Sequence, residues 1–522
     1  MARGRQSFLS GAAVLSTAVA VTKVLGALYK IPLGNLLGGA GMAHFYAAYN
    51  VFNVLAMLCA GIPAAISRMV SQYCALGKRD AARRIFSAGG ILLGLLGTGG
   101  SLVMVIFAPQ IAGFLHDPFA AGAIRTLSPA LLSMCLCGSV RGYTQGMGDM
   151  RPTAVSQVLE STGKLAVGLG ACRLLLYRGA SLAEAVNGAL WGVVAGGVLA
   201  LGYLAVYLKK QPGGCAFCLC GDHMTKDLLR TAFPLTAGAL GSSVLTLLDQ
   251  ALVIRTLQHS LGYSPDRAVA AYGEYTFSMT LFVLAPSLIL PLSAALMPCI
   301  SGALAAGRKK EASRYAWQAL WLATAVGVPI GIGVSCLAGP ILATLYPAQP
   351  ETALAAVWHL RLLGIAAVFV GLAAVSGGVL QAYGKPRIPL WALALGGGVK
   401  IFCDVALVSQ ADIAVRGVSL GTLCGYGAIC VVQLLAVRKC SGNERARWPL
   451  FWRTGLSAAV MALAMESVYP LLALRWSVVA ACFGAVLAGG GSYWLLMLAL
   501  GGITLPELKK LLPSGGRRRS GI

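Results

Sequence analysis

The sequence predicts an all-α polytopic membrane protein of about fourteen transmembrane helices, arranged as two parallel six-helix repeats followed by two further helices. Three observations carry that prediction. Of 522 residues, 57% are hydrophobic and only 11% are charged, with mean hydropathy +0.77, which is too apolar for a soluble globular surface. Apolar runs of about 20 residues, the length that crosses about 30 Å of hydrocarbon, recur along the whole chain. The stretch from Arg125 to Lys164 is also echoed from Arg361 to Lys400.

The runs centre near 8–30, 42–68, 85–110, 123–145, 153–175, 185–208, 228–256, 268–300, 315–345, 357–382, 388–408, 415–437, 449–473 and 476–501. The connecting loops test this count. Arg3 and Arg5, Lys78, Arg79, Arg83 and Arg84, Arg151, Lys209 to Arg230, Arg308 to Arg314, Lys385 and Arg387, Arg438 to Arg447 and the tail Lys509 to Arg519 all fall on one side. The opposite loops hold scattered bases such as Arg178, Arg267 and Arg475. Basic loops stay in the cytoplasm, so both termini are expected there. The net charge of +24 is then mostly a topology signal, and no segment resembles a nucleic-acid module. The amino terminus, with Arg3, Arg5 and the triplet Ala18-Val19-Ala20, has the outline of a signal peptide. Its apolar stretch runs on through Val24 to Leu28, however, and reads as an uncleaved first helix.

Shifting the first repeat by 381 − 145 = 236 positions aligns Arg125 with Arg361, Gly142 with Gly378, Gln145 with Gln381, Gly148 with Gly384, Arg151 with Arg387 and Lys164 with Lys400. The shared frame is an apolar helix, a G-x-x-Q-x-x-G-x-x-R turn and a second apolar helix. Upstream, a proline-bearing span (Pro63; Pro291) enters a basic loop in both copies, at Gly77-Lys78-Arg79 and Gly307-Arg308-Lys309. The expected divisions are a first lobe at 1–208, a cytoplasmic linker at 209–227, a second lobe at 228–440, and two helices with a basic tail at 441–522. Parallel repeats of this kind create a substrate cavity between two rocking lobes.

Charges inside spans mark the candidate site. The first acidic residue is Asp80, so Lys23, Lys30 and Arg68 have no carboxylate in their own helices. A lysine or arginine at a helix centre costs about 2.5–3.5 kcal/mol on insertion scales, so such bases need a reason. Lys23 and Lys30 are seven apart and share a helix face; Lys23, the deeper, reads as lining a wet cavity. Lys30 and Arg68, nearer the span ends, read either as cavity bases or as snorkelling to the headgroups. Glu160 and Lys164, and in reverse order Lys400 and Asp404, are four apart. Each pair is either self-neutralised along one helix or a cavity base with a modulating carboxylate. Asp249 lies six residues from Arg255, about 240° around the helix, and so stands as the second lobe's candidate for a proton or cation site. Arg255 marks the outer end of its span.

Fifteen cysteines lie mostly singly in apolar runs, where a thiol acts as a small hydrophobe. Cys215, Cys218 and Cys220 form the one cluster, with His223 the other possible ligand; reduced cytosolic thiols are the plainer reading and no metal is expected. The histidines at 44, 116, 223, 259 and 359 form no metal motif. No hydrolase, kinase or redox constellation is present, so neither enzymatic activity nor a cofactor is expected.

Thr22-Lys23-Val24-Leu25-Gly26 with Leu28-Tyr29-Lys30-Ile31-Pro32-Leu33, Ala60-Gly61-Ile62-Pro63 through Arg68, and Gln145-Gly146-Met147-Gly148 through Ala154 resemble the motifs of the stage V sporulation protein B group. That group belongs with the MurJ-type lipid II flippases and polysaccharide exporters, in the superfamily that also holds the MATE drug antiporters. The resemblance implies a V-shaped pair of six-helix lobes in the bacterial plasma membrane. Such a protein moves an undecaprenyl-pyrophosphate-linked saccharide by alternating access. It also implies that Lys23 matches the first cavity base of the family's first helix. A second family base falls at Tyr29, beside Lys30, and the helix-two arginine falls near Leu55, where this chain has none.

The leading functional reading is a flippase for an anionic lipid-linked saccharide, with Lys23, Lys30, Arg68, Lys164 and Lys400 as cavity residues and Asp249, Glu160 and Asp404 as coupling candidates. Lys23 and Lys164 would attract the pyrophosphate while the prenyl tail stays among membrane lipids, and protons or sodium are possible coupling ions. The alternatives are a cation-coupled multidrug antiporter, for which Glu160 is the available first-lobe carboxylate, and a non-transporting scaffold of a cell-envelope complex.

Overall fold

A computed structural model of the chain describes residues 8–210, 222–294, 296–441 and 448–502, and among these residues there is no strand. In chain order the helices are α1 (Phe8–Cys59), α2 (Gly61–Ala75), α3 (Arg79–Ile106), α4 (Ala108–Phe114), α5 (Ala120–Gly146), α6 (Arg151–Gly163), α7 (Leu169–Tyr177), α8 (Leu182–Lys209) and α9 (Asp222–Leu261). They continue as α10 (Pro265–Ala294), α11 (Met297–Ala305), α12 (Lys309–Cys336), α13 (Ala338–Leu345), α14 (Pro350–Ala382), α15 (Arg387–Val408), α16 (Gly417–Ser441), α17 (Trp448–Ala473) and α18 (Val478–Ala499). A π-helical turn, Lys164–Gly168, joins α6 to α7.

Eleven helical segments among the described residues are long and apolar enough to cross a membrane, judged by length and composition. The longest, Thr17–Ala75, holds the second expected span and most of the first. At 1.5 Å per residue its 59 residues would run to nearly 90 Å, far beyond one crossing. The chain turns at Gly38, whose φ of 65° and ψ of −172° lie outside the helical region. A second break at Ala60 has a covalent cause: Pro63 has no N–H to give the Cys59 carbonyl, where the helix stops. The fifth expected span is the unit α6, π-turn and α7, and the eighth falls in α10 and α11. Each of the fourteen expected spans therefore falls mainly on helix among the described residues.

The duplication is visible in local geometry. Helices α3 and α12 both have 28 residues, with caps Lys78 (φ −86°, ψ 69°) and Arg308 (φ −85°, ψ 67°). Both end in a bend, at Phe107 and Leu337, that leads into a short helix, α4 or α13. The repeated G-x-x-Q-x-x-G-x-x-R turns are matching helix stops. The Asp149 N–H bonds the Thr144 carbonyl and the Gly148 N–H that of Gln145, both at 2.9 Å; Lys385 to Leu380 and Gly384 to Gln381 repeat the pattern at 2.9 Å each. This double bond is the Schellman cap, with glycine at the left-handed position.

By compactness the chain gathers into two units, one made of residues 1–280, 346–352 and 401–418, the other of 281–345, 353–400 and 419–522. Small residues set the helix seams of the first. A Cβ on Gly142 of α5 would sit 2.5 Å from the Pro63 carbonyl oxygen of α2, so these backbones touch. In the second unit, α12, α17 and α18 enclose Trp321, Met461, Met465, Tyr493 and Met497, and the Tyr493 hydroxyl donates to the Ala325 carbonyl at 2.8 Å.

Candidate substrate site

The site is built on the seam between α8 and the segment α6, π-turn, α7. Gly188, Gly192 and Gly196 recur every fourth residue of α8 and bring its backbone against this segment. A Cβ on Gly192 would lie 2.5 Å from the Gly168 nitrogen and 2.8 Å from the Lys164 carbonyl oxygen, and one on Gly196 would collide with the Glu160 carbonyl. The helix opens into its π-turn at Lys164, within that seam. Single π-turns within α-helices occur frequently at functional sites. On the other side, Tyr29 of α1 fills the gap between the two helices: its hydroxyl donates to the Ala189 carbonyl at 2.8 Å and the residue is 4% exposed.

Around this anchor stand three bases and one acid. Lys164 Nζ lies 2.8 Å from Glu160 Oε1, and Arg141 Nη2 of α5 lies 3.0 Å from Glu160 Oε2. Arg141 Nε donates to Ser156 Oγ at 2.9 Å, which fixes the guanidinium plane. Lys30 donates to the Tyr46 hydroxyl at 3.1 Å, with its ammonium 4.7 Å from the Tyr46 ring centre and 5.8 Å from that of Tyr49. Lys30 directly follows Tyr29, whose ring packs against Gly168, the last residue of the π-turn that opens at Lys164. Three cations against one carboxylate leave a surplus of two positive charges. The Arg141, Lys164 and Glu160 side chains retain 15%, 21% and 25% exposure, so the group is accessible.

The other expected residues are placed differently. Lys23 and Arg68 are exposed and make no ion pair among the described residues. Tyr29, which the resemblance sets at the family's second base position, is locked between helices, and Lys30 beside it joins the cluster. Lys400, Asp404 and Asp249 are buried, at 7%, 2% and 3% exposure. Arg255, Arg151 and Arg387 are exposed. The Cys215, Cys218 and Cys220 cluster lies outside the described residues, as do Arg3, Arg5, Arg445, Arg447 and the basic tail.

Sequence reasoning passed over Arg141, because its counterpart 236 positions on is Gly377 and only bases matched in both copies stand out. A lone arginine inside an apolar span was the available signal. It also passed over two polar contacts made across long stretches of chain. His44 Nδ1 lies 2.7 Å from Asp117 Oδ2, and Asn50 donates to Gln250 Oε1 at 2.8 Å.

Solved structures place this architecture. The chain resembles an inward-facing multidrug resistance MATE family transporter of the MOP superfamily with TM-score 0.69 at 16% identity, over 82% of this chain and 94% of that one. An outward-facing MATE structure matches with TM-score 0.60 at 17% identity, over 84% and 96%. The fold is that of the MOP transporters. Residues 8–304 match the profile described as polysaccharide biosynthesis protein, and residues 241–405 match that of MatE. The chain belongs to the polysaccharide biosynthesis protein family. Among Bacillus subtilis proteins it is 27% identical to the uncharacterized membrane protein YabM over 97% of this chain and 95% of that one. It is 26% identical to the lipid II flippase MurJ over 83% of each chain, and 25% identical to stage V sporulation protein B over 83% and 84%.

Proposed function

We propose that this protein is a flippase that moves an undecaprenyl-pyrophosphate-linked saccharide, lipid II or a related cell-wall or spore-cortex precursor, across the plasma membrane by alternating access. The observation that carries this reading is the cluster of Lys30, Arg141 and Lys164 around Glu160. A diphosphate bonded to a lipid at one end and a sugar at the other keeps one ionised oxygen on each phosphorus, two charges in all. The cluster's surplus of two matches them. Arginine supplies a planar fork and lysine a point charge, the pair of donors suited to phosphate oxygens. The relative named lipid II flippase supports the same substrate class.

In this reading both termini and the basic loops face the cytoplasm, where the substrate headgroup enters. The prenyl tail remains among membrane lipids while the copies at 1–208 and 228–440 rock. Lys23 and Arg68, exposed, guide the headgroup inward, and Lys400 is the enclosed counterpart of Lys164. Buried Asp249 and Asp404 are the second-lobe candidates for a proton or sodium site. The antiporter reading is disfavoured because Glu160 is engaged by two cations and is poorly placed for a cationic drug.

The test is a cell-based lipid II accessibility assay on Arg141→Ala and Lys164→Ala, each expected to lower flipping at least tenfold. Undiminished flipping in both variants overturns the reading. Drug-induced proton efflux that disappears in Glu160→Gln would instead favour the antiporter.

A further inference from the structure

We infer that Glu160 sets the charge specificity of the site: it holds the cluster at a surplus of two, and so selects a sugar-bearing diphosphate over the bare prenyl diphosphate. This rests on the diphosphate reading of the cluster. Glu160 is the only carboxylate among the described residues that pairs with Arg141 or Lys164, and it uses both oxygens, one for each cation. Each cation keeps donors free. A lysine ammonium has three and an arginine five, against the one and two bonds seen here. The acid therefore leaves phosphate-binding capacity in place and limits only its net charge.

The two lipids differ in that charge. The sugar-linked diphosphate is a diester with two negative charges. The bare prenyl diphosphate is a monoester whose terminal phosphate adds most of a third charge at neutral pH, since its second ionisation lies near about pH 6. Charges held a few ångströms apart in a partly desolvated site interact strongly enough to sort ligands by a single unit of charge. A site with a surplus of two leaves the monoester's third charge uncompensated. With Glu160 neutralised, the surplus becomes three and the preference moves toward the bare carrier.

The experiment measures equilibrium binding of two probes to the full-length protein in nanodiscs, by tryptophan fluorescence. One probe is farnesyl diphosphate, the monoester; the other is farnesyl diphosphate carrying N-acetylglucosamine, the diester. Glu160→Gln is expected to raise the affinity for monoester relative to diester by about tenfold. Glu160→Asp keeps the charge and is expected to keep the wild-type ratio. Lys30→Gln leaves the Glu160 pairs intact, lowers the surplus to one and is expected to move the ratio about tenfold the other way, so the inference stays testable even if Glu160→Gln fails to fold.

A purely structural Glu160 would change both affinities by the same factor, and that outcome overturns the inference, as does an unchanged ratio in Lys30→Gln. If Arg141→Ala and Lys164→Ala weaken neither probe, the diphosphate reading itself falls. If they weaken both while the ratio is fixed in Glu160→Gln, only the charge-selection inference falls.

Discussion

Lys164 and Lys400 occupy matching positions in the two copies, each four residues from an acid and each backed by a glycine of the next helix. A Cβ on Gly192 would lie 2.8 Å from the Lys164 carbonyl oxygen, and one on Gly425 would lie 2.7 Å from the Lys400 Cβ. Their surroundings have diverged. The first base stands on a π-turn, is half-buried and shares its acid with Arg141. The second stands on the uninterrupted α15 and is 7% exposed. Where the first copy has Arg141 the second has Gly377, and the neighbouring polar contact is neutral, Ser376 donating to Gln433 Oε1 at 2.6 Å. Duplication has kept the helix frame and the base while rebuilding the charge around it. One lysine stays half-buried and the other is enclosed.

The largest expected effect tests that contrast directly. Lys400→Ala removes a buried charge and leaves its surroundings uncompensated, with an expected loss of roughly 3 kcal/mol in thermal unfolding. Lys164→Ala leaves Glu160 its bond to Arg141, so its loss is expected to be smaller than that of Lys400→Ala while flipping falls. Equal destabilisation by the two variants would break the comparison. Next in size is the glycine seam. Gly192→Ala drives a methyl group into the Gly168 and Lys164 backbone, which has no side-chain freedom to absorb it, and is expected to cost roughly 1–3 kcal/mol. Gly425→Ala meets the Lys400 Cβ and the Gly396 carbonyl oxygen and should cost a similar amount. Because Gly192 backs the accessible base, only its variant is expected to lower flipping per folded molecule. An equal fall in both would make the enclosed lysine part of the same site.

Much of the fold was legible in the sequence because it is written in short-range terms. Apolar runs place the spans, the basic loops alternate, and Gly148 and Gly384 stop their helices within the repeated turn. The site was legible only in part. Lys164 stood out because its mate and its acid lie at fixed spacings. Arg141 did not, since its bond to Glu160 joins residues 19 apart in sequence on two different helices and the second copy lacks its counterpart. The seven-residue spacing of Lys23 and Lys30 placed them on one face, yet only Lys30 reaches Tyr46 and Tyr49. That depends on which neighbour packs beside each turn of helix. The π-turn left no trace either: its residues, KLAVG, suit an ordinary helix, and it coincides with a backbone contact made from α8.

The smallest effect probes what the copies still share. Gly148 and Gly384 adopt φ of 83° and 73°, and a Cβ on either would meet nothing within 4 Å, so substitution carries a conformational cost with no steric one. An alanine held in the left-handed region costs about 1 kcal/mol. Gly148→Ala and Gly384→Ala are therefore expected to lower unfolding stability by about 1 kcal/mol each, with flipping per folded molecule unchanged, since the caps lie at the basic ends of their helices, away from Lys30, Arg141 and Lys164. A double variant should cost the sum, because the two caps share no partner. If Gly148→Ala alone reduced flipping, the turn after α5 would belong to the machinery of the first copy, and the divergence seen at Lys164 would extend to the loop that leads into it.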